Sequence, residues 1–195
     1  MVRVALTGGI ATGKSYVLER LRARGVPCLD ADELAHGATA AGTEASDLIA
    51  KRFGADILSP DGSVDRAKLG SIVFADDEAR RALEAIVHPV VYRAIEAGLR
   101  AFAAIGDAPI AVVAIPLLDE TGRHGSFDKV VATLCSREKQ VARLVERGLS
   151  AADANRRIDA QLPAAEKAAR ADFVINTDGS IEETDAQIAA ILSAL

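Results

Sequence analysis

The stretch Gly8-Gly9-Ile10-Ala11-Thr12-Gly13-Lys14-Ser15 decides the fold. It fits G-x-x-x-x-G-K-[ST] in full, with an apolar run before it and helical spacing after it. Its glycines let the backbone turn so that N–H groups face inward, towards phosphate oxygens. The helix starting near Lys14 adds the positive end of its dipole. Lys14 is then placed for the β- and γ-phosphates of a nucleotide, and the Ser15 hydroxyl for Mg2+. The plainer alternative is a glycine turn without a ligand. Four fixed residues arise by chance in about one chain per hundred, and the strand–loop–helix setting makes chance rarer still.

Working outward, five short apolar runs read as strands: Val2–Thr7, Val26–Asp30, Ile110–Ile115, Lys129–Leu134 and Phe173–Ile175. They are continuous rather than alternating, as in strands buried on both faces of a parallel sheet. Helical spacing fills the intervals at Tyr16–Arg24, Asp77–Ile105, Ser136–Arg147, Ala151–Gln161 and Ile181–Leu195. Pro89 is expected to interrupt or kink the second of these. Ser150 and Asp153 are a candidate capping pair. Strand alternating with helix predicts an α/β fold with a five-stranded parallel sheet and right-handed crossovers. Two crossovers exceed the usual length, one after the second strand and one after the fourth. They read as insertions into one domain spanning residues 1–195.

Composition narrows the function classes. The 195 residues carry 23 Lys+Arg against 28 Asp+Glu, for a net charge of −5. That balance argues against a general nucleic-acid binder. Half of the residues are hydrophobic, which excludes wholesale disorder, and only 4% are aromatic. No apolar run approaches the roughly 18 residues that span a bilayer, and the stretch before the first glycines is too short for a signal peptide. Cys28 and Cys135 read as buried free thiols in a reducing cytosol. No His/Cys cluster has zinc spacing.

The second strand ends in Leu29-Asp30-Ala31-Asp32. Ligands of open parallel sheets bind at the carboxyl ends of strands, so Asp30 and Asp32 are candidates for a place near the γ-phosphate. Phosphoryl transfer to an alcohol needs a carboxylate to accept or orient the hydroxyl proton, and acidic groups to hold the waters of Mg2+. The bland alternative is that these aspartates only cap the next helix. Asp119-Glu120-Thr121-Gly122 spells D-x-x-G, but no N-K-x-D stands anywhere in the chain, so a GTPase is disfavoured.

Leu6-Thr7-Gly8-Gly9-Ile10, Gly13-Lys14-Ser15 and Asp30-Ala31-Asp32 together resemble the dephospho-coenzyme A kinase family. The resemblance runs along the whole chain. It includes Asp65-Arg66-Ala67-Lys68-Leu69 with Val73-Phe74, Leu83-Glu84-Ala85-Ile86-Val87-His88-Pro89, and Ile115-Pro116-Leu117-Leu118 with Glu120. It continues in Gln140 with Arg143 and Arg147, Arg157-Ile158 with Gln161, and Asp172 with Asn176.

The resemblance implies a three-layer P-loop fold and ATP-dependent phosphorylation of the ribose 3′-hydroxyl of dephospho-coenzyme A. It implies Asp32 as general base, Gly8 to Tyr16 as the ATP loop with Asn176 as a further contact, and Arg143 as the lid arginine over the transferring group. Thr7, His88, Pro116 and Leu117 fall on acceptor contacts. Residues 34–108 correspond to the coenzyme A-binding region and 136–165, with Arg147 and Gln161, to a lid. Gln161 and Asn176 are open between reading adenine and bracing the lid. ATP and Mg2+ are the implied co-substrate and cofactor. A cytoplasmic monomer is expected, with a homo-oligomer as alternative and neither nucleic acid nor membrane as partner.

Two residues depart from the family pattern. Ala11 stands at a usual glycine, which is tolerable only if φ there stays negative. Tyr16 replaces a small hydroxyl residue and could alter the nucleotide pocket. The rival readings are another small-molecule P-loop kinase and a nucleotide-binding regulator without transfer activity.

Overall fold

A computed structural model describes residues 1–106 and 108–195. The strands are β1 (Val2–Gly8), β2 (Cys28–Asp30), β3 (Ile110–Ala114), β4 (Lys129–Leu134) and β5 (Phe173–Asn176). They form one sheet in the order β2-β3-β1-β4-β5. β1 pairs in parallel with β3 and β4, and β4 with β5. All five residues of β3 are buried, as their unbroken apolar run requires. The central strand β1 therefore delivers the glycine loop to the carboxyl edge of the sheet, where the chain order reverses.

Two units pack separately. The first comprises Met1–Leu29 with Ala101–Leu195, the second Asp30–Arg100. In the first, α1 (Lys14–Ala23) and α9 (Ile181–Ala194) flank the sheet. Val17, Leu18, Leu21 and Ile188 close over Val4, Leu6, Val112, Val131 and Ile175. Val4 and Leu6 share a face because strand side chains alternate. The same unit holds α6 (Arg137–Glu146), α7 (Ala151–Asp159) and α8 (Ala164–Ala169). Leu144 and Ala154 join α6 to α7, with Ala11 of the glycine loop packed beside them.

The second unit holds α2 (Ala31–Ala38), α3 (Glu44–Phe53), α4 (Arg66–Ala75) and most of α5 (Asp77–Ile105). Its core is Ile49, Ile57, Val64 and Leu69, with Leu83, Ile86 and Val87 of α5 against it. The helix starts are capped by side-chain oxygens that accept N–H bonds: Thr43 for α3, Asp65 for α4, Ser136 for α6 and Ser150 for α7. Ser180 and Glu183 close a reciprocal capping box on α9. The expected Ser150–Asp153 pair forms, with Ser150 Oγ accepting from Asp153 N at 3.1 Å.

Several expectations need correction. Pro89 does not interrupt α5, which is helical across all 29 residues. Proline removes one N–H, but Ala79, Val91, Ile95 and Leu99 are buried on both sides of it, and that packing outweighs one lost bond. The interval between β2 and α5 contains α2, α3 and α4, for which no helical spacing was read. In α4 only Leu69 is buried while Phe74 is 86% exposed, so its apolar residues do not trace one stripe. Cys28 is half-buried rather than buried, and both cysteines are free thiols. Burial pushes the Cys28 thiol up to about 11 and raises that of Cys135 as well. No described helix is long and apolar enough to cross a membrane.

Candidate active site

The loop from Gly8 to Ser15 connects β1 directly to α1. Gly13 is the N-cap of α1, with φ 94°, and supplies no side-chain acceptor; the first turn has no acidic residue. The N–H groups of Ala11, Gly13, Lys14, Ser15 and Tyr16 have no acceptor among the described residues. A helix start left open in this way favours an anion. Lys14, half-buried, forms no ion pair among the described residues, and Ser15 is exposed with its hydroxyl unpaired among them. The loop thus offers main-chain donors, one cation and one hydroxyl.

Threonines and glutamines hold this shape from outside the motif. Thr12 Oγ1 donates to Gly9 O at 2.7 Å and lies 2.7 Å from Thr133 Oγ1 of β4. Thr177, just after β5, donates to Thr12 O at 2.8 Å. Both main-chain groups of Ile10 are taken. Gln161 Oε1 accepts its N–H at 2.9 Å, and Gln140 Nε2 donates to its carbonyl at 2.6 Å. Gln161 therefore braces the loop.

Gly8 sits where no other residue fits. An added Cβ would lie 2.1 Å from Thr133 Oγ1 and 2.9 Å from Thr133 O. Gly8→Ala is expected to cost about 3 kcal/mol through overpacking, read as a lower urea midpoint. Ala11, by contrast, adopts φ 60°, so the condition stated for alanine there is not met. Its methyl packs with Leu144 and Ala154, and that burial offsets the left-handed conformation. The strain is worth about 1 kcal/mol. Burial of one methyl is worth about 0.8 kcal/mol, and glycine adds unfolded-state entropy. Ala11→Gly is therefore expected to shift stability by less than about 1 kcal/mol, and chemical denaturation would check this.

Arg143, expected as the lid arginine over the transferring group, hydrogen-bonds the loop and the turn after β5. Its Nη1 donates to Ala11 O at 2.9 Å and Thr177 Oγ1 at 3.0 Å, and its Nη2 to Thr177 O at 2.9 Å. Arg147, one turn on, is exposed and its side chain has no partner among the described residues. Tyr16 turns away from the loop, its hydroxyl donating to Asp185 Oδ1 at 3.0 Å beside the Arg20–Asp185 ion pair. Asn176 caps its own turn, its Oδ1 accepting from Asp178 N at 2.8 Å. Thr7 is fully buried, with Oγ1 3.5 Å from Pro116 O, and Leu117 is exposed.

In the second unit, Asp30 is the N-cap of α2 and its Oδ1 accepts from Asp32 N at 2.8 Å. Asp30 thus does cap the next helix, while Asp32 lies in its first turn. His36, one turn further along the same helix face, contacts Arg66 at the start of α4. His88 meets Tyr92 edge-on, with ring centroids 6.2 Å apart.

Residues 2–183 match the family model described as dephospho-CoA kinase. This chain belongs to the dephospho-CoA kinase family. A dephospho-CoA kinase from Anaeromyxobacter dehalogenans is 51% identical over 180 residues, covering 92% of this chain and 85% of that protein. A crystal structure from Thermus thermophilus superposes with a TM-score of 0.83 at 35% identity, covering 100% and 97% of the two chains. The dephospho-CoA kinase from Campylobacter jejuni gives 0.72 at 27% identity, covering 98% and 95%.

Within this dephospho-CoA kinase fold, sequence reasoning missed Thr133, Thr177 and Lys167. The two threonines carry no local signal, since each is a single hydroxyl at or just past a strand end. Lys167 is in a six-residue helix, too short for periodicity to reveal its buried side.

Proposed function

We infer that the chain catalyses ATP-dependent phosphorylation of the ribose 3′-hydroxyl of dephospho-coenzyme A, giving coenzyme A and ADP. This would be the last step of coenzyme A synthesis. The observation that carries the reading is the row of unpaired loop N–H groups with the unpaired Lys14, in a chain of this family. In our reading the loop cradles the ATP phosphates and Lys14 draws charge from the β- and γ-oxygens.

No group of three or more His, Cys, Asp or Glu among the described residues could hold a metal. That suits Mg2+, which keeps waters and binds mainly through substrate phosphates. Ser15 would supply the protein oxygen, with Asp30 or Asp32 acting through water. Bound Mg2+ would neutralise charge on the phosphate oxygens.

Asp32 is assigned the acceptor hydroxyl, accepting its hydrogen bond as attack develops. Residues 34–108, most of which fall in the unit Asp30–Arg100, are assigned the coenzyme A acceptor, with contacts from Thr7, His88, Pro116 and Leu117. Residues 136–165 are assigned the lid. Arg143, which holds the loop through its hydrogen bonds, is assigned the lid arginine that neutralises charge on the transferring group, with Arg147 and Gln161 also in the lid. Asn176 is assigned to the nucleotide side. We place the enzyme in the cytoplasm as a monomer.

The test is direct. Protein, Mg-ATP and dephospho-coenzyme A are mixed and analysed by mass spectrometry. A product heavier by one phosphoryl group, matched by ADP, supports the reading. Transfer only to another nucleoside or sugar acid, or ATP binding with no transfer to any acceptor, overturns it.

A further inference from the structure

Lys167 on α8 is buried, with a side chain 0% exposed. A buried ammonium is unfavourable unless its donors are all met. Here they are: Nζ lies 2.7 Å from Pro116 O, 2.8 Å from Glu120 Oε1 and 3.0 Å from Glu120 Oε2. Its three N–H donors thus face three oxygens of one loop. That loop begins where β3 ends, and Thr7 Oγ1 approaches the same Pro116 carbonyl.

The connection is doubled. Glu120 also accepts from Leu162 N at 3.4 Å, and Arg170, one turn after Lys167, reaches the 1%-exposed Asp119 at 3.4 Å. Gln161, beside Leu162, holds the N–H of Ile10. The short stretch 161–167 therefore grips the phosphate loop at one end and the Pro116–Glu120 loop at the other. Phosphoryl transfer depends on alignment, and about 1 Å of misplacement can cost about 100-fold.

We propose that Lys167 is a positioning residue: with Gln161, it sets the spacing between the phosphate loop and the Pro116–Glu120 loop, holding the ATP phosphate in line with the acceptor. This rests on the function inferred above. An apolar side chain at 167 would fill the space yet leave Pro116 O with only the 3.5 Å approach of Thr7 Oγ1.

The experiment compares wild type, Lys167→Met, Glu120→Gln and the double variant, with melting temperatures recorded. Lys167→Met is expected to lower kcat/KM for dephospho-coenzyme A by about 10- to 100-fold, with KM for ATP within about twofold of wild type. The double variant separates positioning from simple charge balance. If Lys167 only neutralises Glu120, removing both charges restores activity; if it positions Pro116, the double variant stays as slow as Lys167→Met.

Restored activity, or an unimpaired Lys167→Met, overturns the proposal. Should Lys167→Met not fold, Glu120→Gln decides. It is expected to lower kcat/KM for the acceptor several-fold when assayed below its own melting transition, and wild-type values would count against the proposal. Wild type inactive on dephospho-coenzyme A refutes the functional reading instead.

Discussion

Lys14→Ala lowers kcat for phosphoryl transfer by about 1,000-fold, measured as ADP formed with dephospho-coenzyme A present. The melting temperature stays near that of wild type. The two expectations share one cause. Lys14 opens α1 and has no carboxylate partner among the described residues, so removing it strands no buried charge. Its charge matters only when phosphate is present. The unpaired N–H groups of Ala11, Gly13, Ser15 and Tyr16 remain in the variant, so residual ATP binding is expected. A kcat within tenfold of wild type would remove Lys14 from the transfer step.

Asp32→Asn is the second large effect, a fall in kcat of about 100- to 10,000-fold with little change in KM for ATP. Asparagine keeps the size and a carbonyl oxygen but loses the charge that accepts the hydroxyl proton. Asp30→Asn is the control. Asp30 caps α2 through its Oδ1, a role asparagine fills about as well, so stability should change little and any loss of activity should stay well below that of Asp32→Asn. Steady-state kinetics on the two variants separates base from cap. Equal losses in both, or none in Asp32→Asn, would end the assignment of Asp32.

The strands and longer helices were legible because each carries its own signal. Lys129–Leu134 is apolar enough to be buried on both sheet faces, and its bounds match those read. Asp77–Ile105 also matches, because 29 residues of helical spacing outweigh one proline. By contrast, α2 has a single leucine, α8 six residues, and α4 apolar side chains spread around its axis. Their helicity comes from capping and from neighbours, which local pattern does not contain. Ala11 was misjudged for a related reason: whether φ > 0 is tolerable there depends on Leu144 and Ala154, far along the chain.

From the residues alone come the parallel sheet, the phosphate loop and the candidates Lys14, Ser15 and Asp32, because apolar runs and glycine spacing act over a few neighbouring residues. The family followed from many such segments in one order. Tertiary structure alone decided that Arg143 donates to Ala11 and Thr177, that Gln161 holds Ile10, and that Lys167 is buried against Pro116 and Glu120. Those roles depend on partners between 34 and 151 residues away. A side chain's hydrogen bonds are set by what the fold carries to it, and no local spacing encodes that.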